Sequence, residues 1–227
     1  MQALPEEHQG LTASLAEAAL WRRANAAVYD RMATDYYRRS EGAGIEEDAR
    51  LFVATLIQRF GPRPIVLDLG CGPGIDAWRI SEPGARVVGA DASMGMLRAA
   101  VARDAPAELV LADLLAPPFT PGAFHGIWAS ALLIHVPRAC LHAALSTWAG
   151  ALAPGGLLHL TSPLVPTEPA DPESPPGRRF DLHDEAGISA AVRQAGLRQL
   201  GSSRRRWQTR PWLHVLAERP VSPASLL

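Results

Sequence analysis

The stretch Pro64-Ile65-Val66-Leu67-Asp68-Leu69-Gly70-Cys71-Gly72-Pro73-Gly74 limits the architecture of this chain more than any other. Its branched apolar run predicts a strand buried on both faces, a property of parallel sheets covered by helices. The run meets an acid, Asp68, and passes into glycines at alternate positions, Gly70, Gly72 and Gly74. Without β-carbons there, a ligand can rest directly on the main chain. Helical character resumes at Ile75. The loop therefore joins the carboxyl end of a strand to the start of a helix, where open α/β sheets bind their ligands.

Glycine spacing separates two ligand classes. The dinucleotide fingerprint G-x-G-x-x-G needs its third glycine three positions after the second. Ile75 stands there instead, and the glycine arrives one residue early, at Gly74. A nicotinamide enzyme is thereby disfavoured. A second strand, 85–90, ends at Asp91, 19 positions beyond Gly72. That is close to the spacing at which a carboxylate meets ribose hydroxyls in this architecture. Ser93 follows as the N-cap of the next helix.

The segment Val66 to Gly74 resembles motif I of the class I S-adenosylmethionine-dependent methyltransferases, and the downstream chain agrees with it. Asp91-Ala92-Ser93-Met94-Gly95-Met96-Leu97 is similar to the family's D-x-S-x-x-M-L, and Leu152-Ala153-Pro154-Gly155-Gly156 to its L-x-P-G-G turn. Tyr29-Asp30-Arg31-Met32-Ala33-Thr34-Asp35-Tyr36 resembles a Y-D-x-x-A-x-x-Y segment that folds over the cofactor in small-molecule members.

The resemblance implies a Rossmann-like α/β fold, with a seven-stranded, mostly parallel sheet, helices on both faces and a C-terminal antiparallel strand. It implies S-adenosylmethionine as cofactor and S-adenosylhomocysteine as product. The implied binding residues are Asp68, Gly70, Gly72 and Gly74 in motif I, and Asp91 at the ribose. Ala92, Met96, Asp113 and Leu114 would line the adenine pocket, with Ser130 and Tyr36 toward the methionine end. Met96 is equally readable as core, Asp113 as a turn cap, and Tyr36 as an anchor of the N-terminal cap.

His135, after the fourth strand in Leu133-Ile134-His135-Val136-Pro137, is the first candidate for a general base, because its titration lies near neutrality. The alternative is a packing or hydrogen-bonding role only. His183 is a second, weaker candidate. No metal is expected: the sequence contains no H-x-x-x-H pair and no carboxylate cluster at ligand spacing.

Composition narrows the partners. A net charge of −1 argues against holding nucleic acid through its phosphates. The absence of lysine removes Schiff-base chemistry and Walker-type phosphate loops. The two cysteines, Cys71 and Cys140, are too few for a disulfide framework. No apolar run is long enough for a bilayer. The expectation is a cytoplasmic monomer or homodimer that methylates an O, N or C atom of a small organic molecule, with secondary metabolism as one setting. A non-catalytic cofactor-binding protein and a methyltransferase of a macromolecule are the alternatives.

Three regions follow: an N-terminal helical cap over 1–60, a core over 61–219 and a loose tail over 220–227. Helices are expected at 11–23, 46–60, 75–81, 138–152 and 184–195. Strands are expected at 64–69, 85–90, 108–111, 124–130, 157–161, 197–206 and 212–218, the last two as a hairpin. The proline-rich stretch 162–179 is expected to form a lid or a wall of the acceptor pocket.

Overall fold

The computed structural model describes residues 6–40, 45–164, 178–207 and 210–221. Its centre is β1 (Ile65–Leu69), which pairs in parallel with β2 (Arg86–Asp91) on one side and β4 (Phe124–Ser130) on the other. β3 (Ala107–Leu111) extends the sheet beyond β2, and β5 (Leu152–Pro163) extends it beyond β4. A terminal hairpin, β6 (Arg198–Trp207) and β7 (Arg210–Glu218), completes the order β3-β2-β1-β4-β5-β7-β6. β7 runs antiparallel to both β5 and β6. The chain reverses direction across the sheet between β1 and β4, which opens a crevice at the carboxyl ends of these strands.

Side chains alternate between two cores because successive strand residues face opposite sides. Val66, Val87, Trp128 and Leu157 point to one face, where Phe52, Val53 and Leu56 of α2 (Glu46–Phe60) and Ala77 and Ile80 of α3 (Ile75–Ser81) cover them. Leu67, Leu69, Ile127, Leu158 and Leu160 point to the other, packed with α5 (Leu141–Ala151) and α6 (Glu185–Gln194). α4 (Met94–Ala102) bridges β2 and β3. The helix expected over 46–60 covers one sheet face through Phe52, Val53 and Leu56.

Three elements differ from expectation. In place of a helix over 11–23, α1 runs without interruption as Glu6–Ser40, since neither glycine nor proline breaks residues 11–40. The helix expected from 138 begins at Leu141, after two 3₁₀ turns at Leu133–His135 and Arg138–Cys140. β5 spans twelve residues rather than 157–161. Its Ala153-Pro154-Gly155-Gly156 reversal is an irregularity inside the ladder: Phe124 pairs with Leu152, and Gly126 already pairs with Leu157. Of the expected lid, residues 165–177 lie outside the described residues, as does 222–227 of the expected tail.

Candidate active site at the carboxyl ends of β1, β2 and β4

The glycine loop is held by backbone and by one acid. Gly70 and Cys71 donate their N–H groups to Ala90 O at 2.7 and 3.1 Å, fastening the loop to the end of β2. Gly72 N donates to Asp91 Oδ2 at 2.9 Å, and Ser93 N to Asp91 Oδ1 at 2.8 Å. Burial raises the Asp91 carboxyl above its ordinary value, and these donors act against the shift. Gly70, Gly72 and Gly74 all take positive φ, from 52° to 78°. A β-carbon on Gly74 would come within 2.4 Å of Ala105 Cβ; one on Gly72 would meet no protein atom within 4 Å. The loop is thus tight beneath Gly74 and open beside Gly72.

Asp68 sits under this loop at 2% exposure. Burial, followed by the neighbouring carboxylates Asp76 and Asp91, holds its carboxyl well above the usual range, while Arg79 pulls the other way. Asp76 is occupied by Arg79 Nη1 at 2.6 Å and Trp128 Nε1 at 2.9 Å. Asp68 Oδ2 has no hydrogen-bond partner among the described residues. A buried acceptor left this way is costly and calls for a donor. An ammonium group on a ligand in the crevice would supply one. With the open main chain at Gly72 and the acid at Asp91, the crevice fits an amino acid joined to a nucleoside.

Helix α1 crosses the mouth of the crevice. Its Asp30 Oδ1 accepts from Ser93 Oγ at 2.6 Å and from Gly95 N at 2.7 Å, a carboxylate at the start of α4 where the helix dipole favours one. Ser93 Oγ in turn accepts from Met96 N, the cap expected from sequence. Arg22 Nε reaches Asp113 Oδ2 at 2.9 Å, and Asp113 Oδ1 accepts from Leu115 N. Asp113 is thus already paired by α1. Met96 and Leu114 are buried, and the Leu114 carbonyl accepts from Trp148 Nε1. Ala92 is half-buried beside Asp91.

After β4 the chain turns through Ala131, a non-glycine residue at φ 54°. Thr161 holds that turn, since its carbonyl and its Oγ1 both accept from Ala131 N, at 3.0 and 3.1 Å. Ser130 Oγ lies 3.2 Å from the same Oγ1. His183 Nε2 faces the carbonyls of Leu133 and Val136, both at 3.1 Å. Carbonyls only accept, so this nitrogen carries the proton. Asp181 N donates to Ile134 O, and Asp181 Oδ2 accepts from Arg138 N. Residues 181–183 therefore clamp the loop that carries His135.

Both ring nitrogens of His135 are engaged. Asn25 donates through Nδ2 to Arg179 O at 2.9 Å and accepts through Oδ1 from Arg179 N at 2.8 Å, which fixes its amide orientation. Nδ2 then has a second proton for His135 Nδ1 at 3.3 Å. The imidazole proton is left on Nε2, which faces Tyr29 Oη at 3.0 Å. Burial first, then the Arg178 charge, lowers the His135 pKa from 6.5 to about 3. Burial also raises that of Tyr29 far above its ordinary value. Tyr36 lies edge-on to Tyr29, with ring centroids 5.6 Å apart.

Of the residues expected at the site, Asp68 lies on β1, Gly70, Gly72 and Gly74 follow it, Asp91 and Ala92 lie at the end of β2, Met96 on α4, Asp113 and Leu114 after β3, Ser130 and His135 at and after the end of β4, Tyr36 on α1 and His183 ahead of α6. Asn25, Asp30 and Arg22 were not singled out. Only for Asp30 was there a signal, its place in the Y-D-x-x-A-x-x-Y segment.

Comparison with known proteins bears on the family and the fold. Residues 66–156 match a family model described as a methyltransferase domain. The chain is 41% identical over 109 residues to a trans-aconitate 2-methyltransferase of Paracidovorax citrulli, covering 46% of this chain and 41% of that protein. It is 45% identical over 67 residues to a mouse 18S rRNA (guanine-N(7))-methyltransferase, covering 29% of this chain and 24% of the other. The match spans less than half the length of each of these two relatives. Among solved structures, magnesium protoporphyrin IX methyltransferase of Synechocystis with bound S-adenosylhomocysteine shares the fold. Its TM-score is 0.66 at 21% identity, covering 86% of this chain and 99% of that one.

Proposed function

We infer function from membership: the core of this chain belongs to the class I S-adenosylmethionine-dependent methyltransferases, and we propose that it methylates an oxygen, nitrogen or carbon atom of a small organic molecule. The observation that carries this reading is the pairing of an open glycine loop with two acids, Asp91 bonded to Gly72 N and Asp68 with an unsatisfied buried oxygen.

In this reading the loop of Gly70, Gly72 and Gly74 seats the amino-acid end on its open side at Gly72, and Asp68 accepts from its ammonium. Asp91 exchanges the Gly72 amide for the ribose hydroxyls, since a carboxylate can accept from both. Ala92, Met96 and the Leu114 main chain enclose the adenine ring, whose amino group donates to Asp113 once Arg22 yields. Ser130 and Tyr36 close the methionine end. S-adenosylmethionine supplies an activated methyl group, transferred by in-line displacement with S-adenosylhomocysteine as product. The protein's share of the rate is alignment and exclusion of water, and alignment alone is worth about 7–11 kcal/mol when geometry is near attack. α1 supplies the exclusion by bonding to α4, to the loop after β4 and to Arg179.

His135 acts in this reading through Tyr29: with its proton fixed on Nε2, it orients the phenol that faces the acceptor. An acceptor of low acidity would need α1 to lift before the imidazole could take a proton. The net charge of −1 favours a small acceptor over RNA. Three of the four β6 arginines are spent on acids, Arg198 on Glu218, Arg204 on Glu185 and Arg205 on Asp48.

Calorimetry with S-adenosylmethionine, S-adenosylhomocysteine and NAD tests the cofactor class; binding of NAD alone would overturn it. Asp91→Ala should weaken affinity for S-adenosylhomocysteine, and unchanged affinity would remove its ribose role. Methyl-labelled cofactor offered to a panel of carboxylic acids, phenols and amines tests turnover. Labelling of RNA with no labelling of the panel would refute the small-molecule reading.

A further inference from the structure

Away from the crevice, three side chains from distant parts of the chain converge on the sheet face covered by α2. They are Asp48 in the first turn of α2, His159 on β5 and His214 on β7. His214 Nδ1 lies 3.1 Å from Asp48 Oδ2, and His159 Nε2 lies 3.9 Å from the same oxygen. One ligand atom from each residue lies within 4.8 Å of the others. His159 is 5% exposed and stacks on Trp128 with ring centroids 3.9 Å apart. Its Nδ1 has no hydrogen-bond partner among the described residues, and 3.9 Å is too long for a bond from its Nε2. Burial thus leaves His159 Nδ1 without a partner, while its Nε2 faces the Asp48 carboxylate with no bond between them.

We infer that Asp48, His159 and His214 form a site for one transition-metal ion of the zinc class, which clasps α2 to β5 and β7. Zinc binds imidazole nitrogen and carboxylate oxygen at about 2.0–2.2 Å in tetrahedral geometry, which sets ligand atoms about 3.3 Å apart. The two separations at Asp48 Oδ2 fall on either side of that value. Two imidazoles with one carboxylate suit zinc, cobalt or nickel rather than calcium or magnesium. A metal on His214 Nδ1 needs that nitrogen free of its proton, so the tautomer that faces Asp48 changes on binding.

Arg205 is the built-in competitor. Its Nη1 and Nη2 donate to Asp48 Oδ2 and Oδ1 at 2.8 and 2.7 Å. A metal on Oδ2 displaces Nη1 and sets its charge against the guanidinium, so Arg205 has to swing off the carboxylate for the ion to bind. The Arg205 side chain is 44% exposed on the edge strand β6, so it has room to shift.

The test is titration of the chelator-treated, full-length protein with Co²⁺, read by its visible d–d absorption, with Zn²⁺ as competitor. The expected result is one saturable tetrahedral or five-coordinate band, displaced by Zn²⁺, and a melting temperature raised by Zn²⁺. Loss of one ligand in His214→Gln should weaken binding by more than about 100-fold, beyond the usual cost of an outer partner. Arg205→Gln, which frees Asp48 Oδ2, should tighten it. His214 is buried at 8% exposure, so far-UV circular dichroism and urea unfolding check that its variant is folded before titration. Absence of a saturable band in the wild type, equal affinity in His214→Gln, or weaker binding in Arg205→Gln would each overturn the site.

Discussion

Acid should destabilise this fold through His135, and the size of the effect follows from its enclosure. The imidazole is packed against Tyr29 and Phe180, receives a proton from Asn25, and has its pKa lowered from 6.5 to about 3. Below pH 6.5 the unfolded chain takes up a proton that the folded chain does not. Stability contributed by this group is therefore complete above pH 6.5, falls as the pH drops, and levels off below about pH 3. At pH 5 the unfolded imidazole is almost wholly protonated and the folded one almost wholly neutral. At 1.36 kcal/mol per pKa unit, the fold loses about 2 kcal/mol between pH 8 and pH 5 from this residue.

His135→Gln keeps a polar side chain but cannot titrate. It should cost about 0.5–1.5 kcal/mol at pH 8 for each hydrogen bond it fails to reproduce. Its loss between pH 8 and pH 5 should be about 2 kcal/mol smaller than that of the wild type. Urea unfolding at both pH values, with a chelator present so that His159 and His214 carry no metal, measures the difference. Parallel pH dependence in the two proteins would refute the argument, because a histidine exchanging freely with solvent would behave that way.

Three further substitutions probe the crevice and its cover. Gly72→Ala places a β-carbon in the open side of the loop at φ 52°; it should cost about 1–2 kcal/mol in backbone strain and weaken S-adenosylhomocysteine binding at least about tenfold, and calorimetry showing wild-type affinity would exclude a ligand on that backbone. Gly95→Ala sets a β-carbon 2.7 Å from Asp30 Cα and 2.8 Å from its carbonyl oxygen; since main chain cannot give way as a side chain can, α1 should part from α4 at a cost of about 1–3 kcal/mol. Faster proteolysis within α1 is the readout for that separation, and an unchanged rate would deny the close approach a role. Arg22→Ala removes a partly exposed partner of Asp113, and exposed ion pairs are worth about 0–1 kcal/mol. The affinity for S-adenosylmethionine should then rise by up to about fivefold; a weaker affinity would mean that Arg22 contacts the ligand instead of competing with it.

What could be read from the chain before folding was local. Apolar periodicity, an acid and three glycines within one stretch define β1, its loop and α3. Ser93 caps α4 and Gly61 ends α2 through contacts three or four residues away. The seven strands and the terminal hairpin follow from the same short-range rules, as does the place of the crevice beyond β1. The path of α1 past α4 and the loop after β4 decided which polar groups meet there. Asn25, which assigns the proton on His135, is 110 positions from it; Asp30 reaches Ser93 across 63. Such partners leave no spacing in the sequence, because a helix presents its side chains to whatever the tertiary fold brings opposite. The convergence of Asp48, His159 and His214 was hidden for the same reason. Their three elements are far apart in the chain and adjacent only because β7 inserts beside β5 and α2 lies across both.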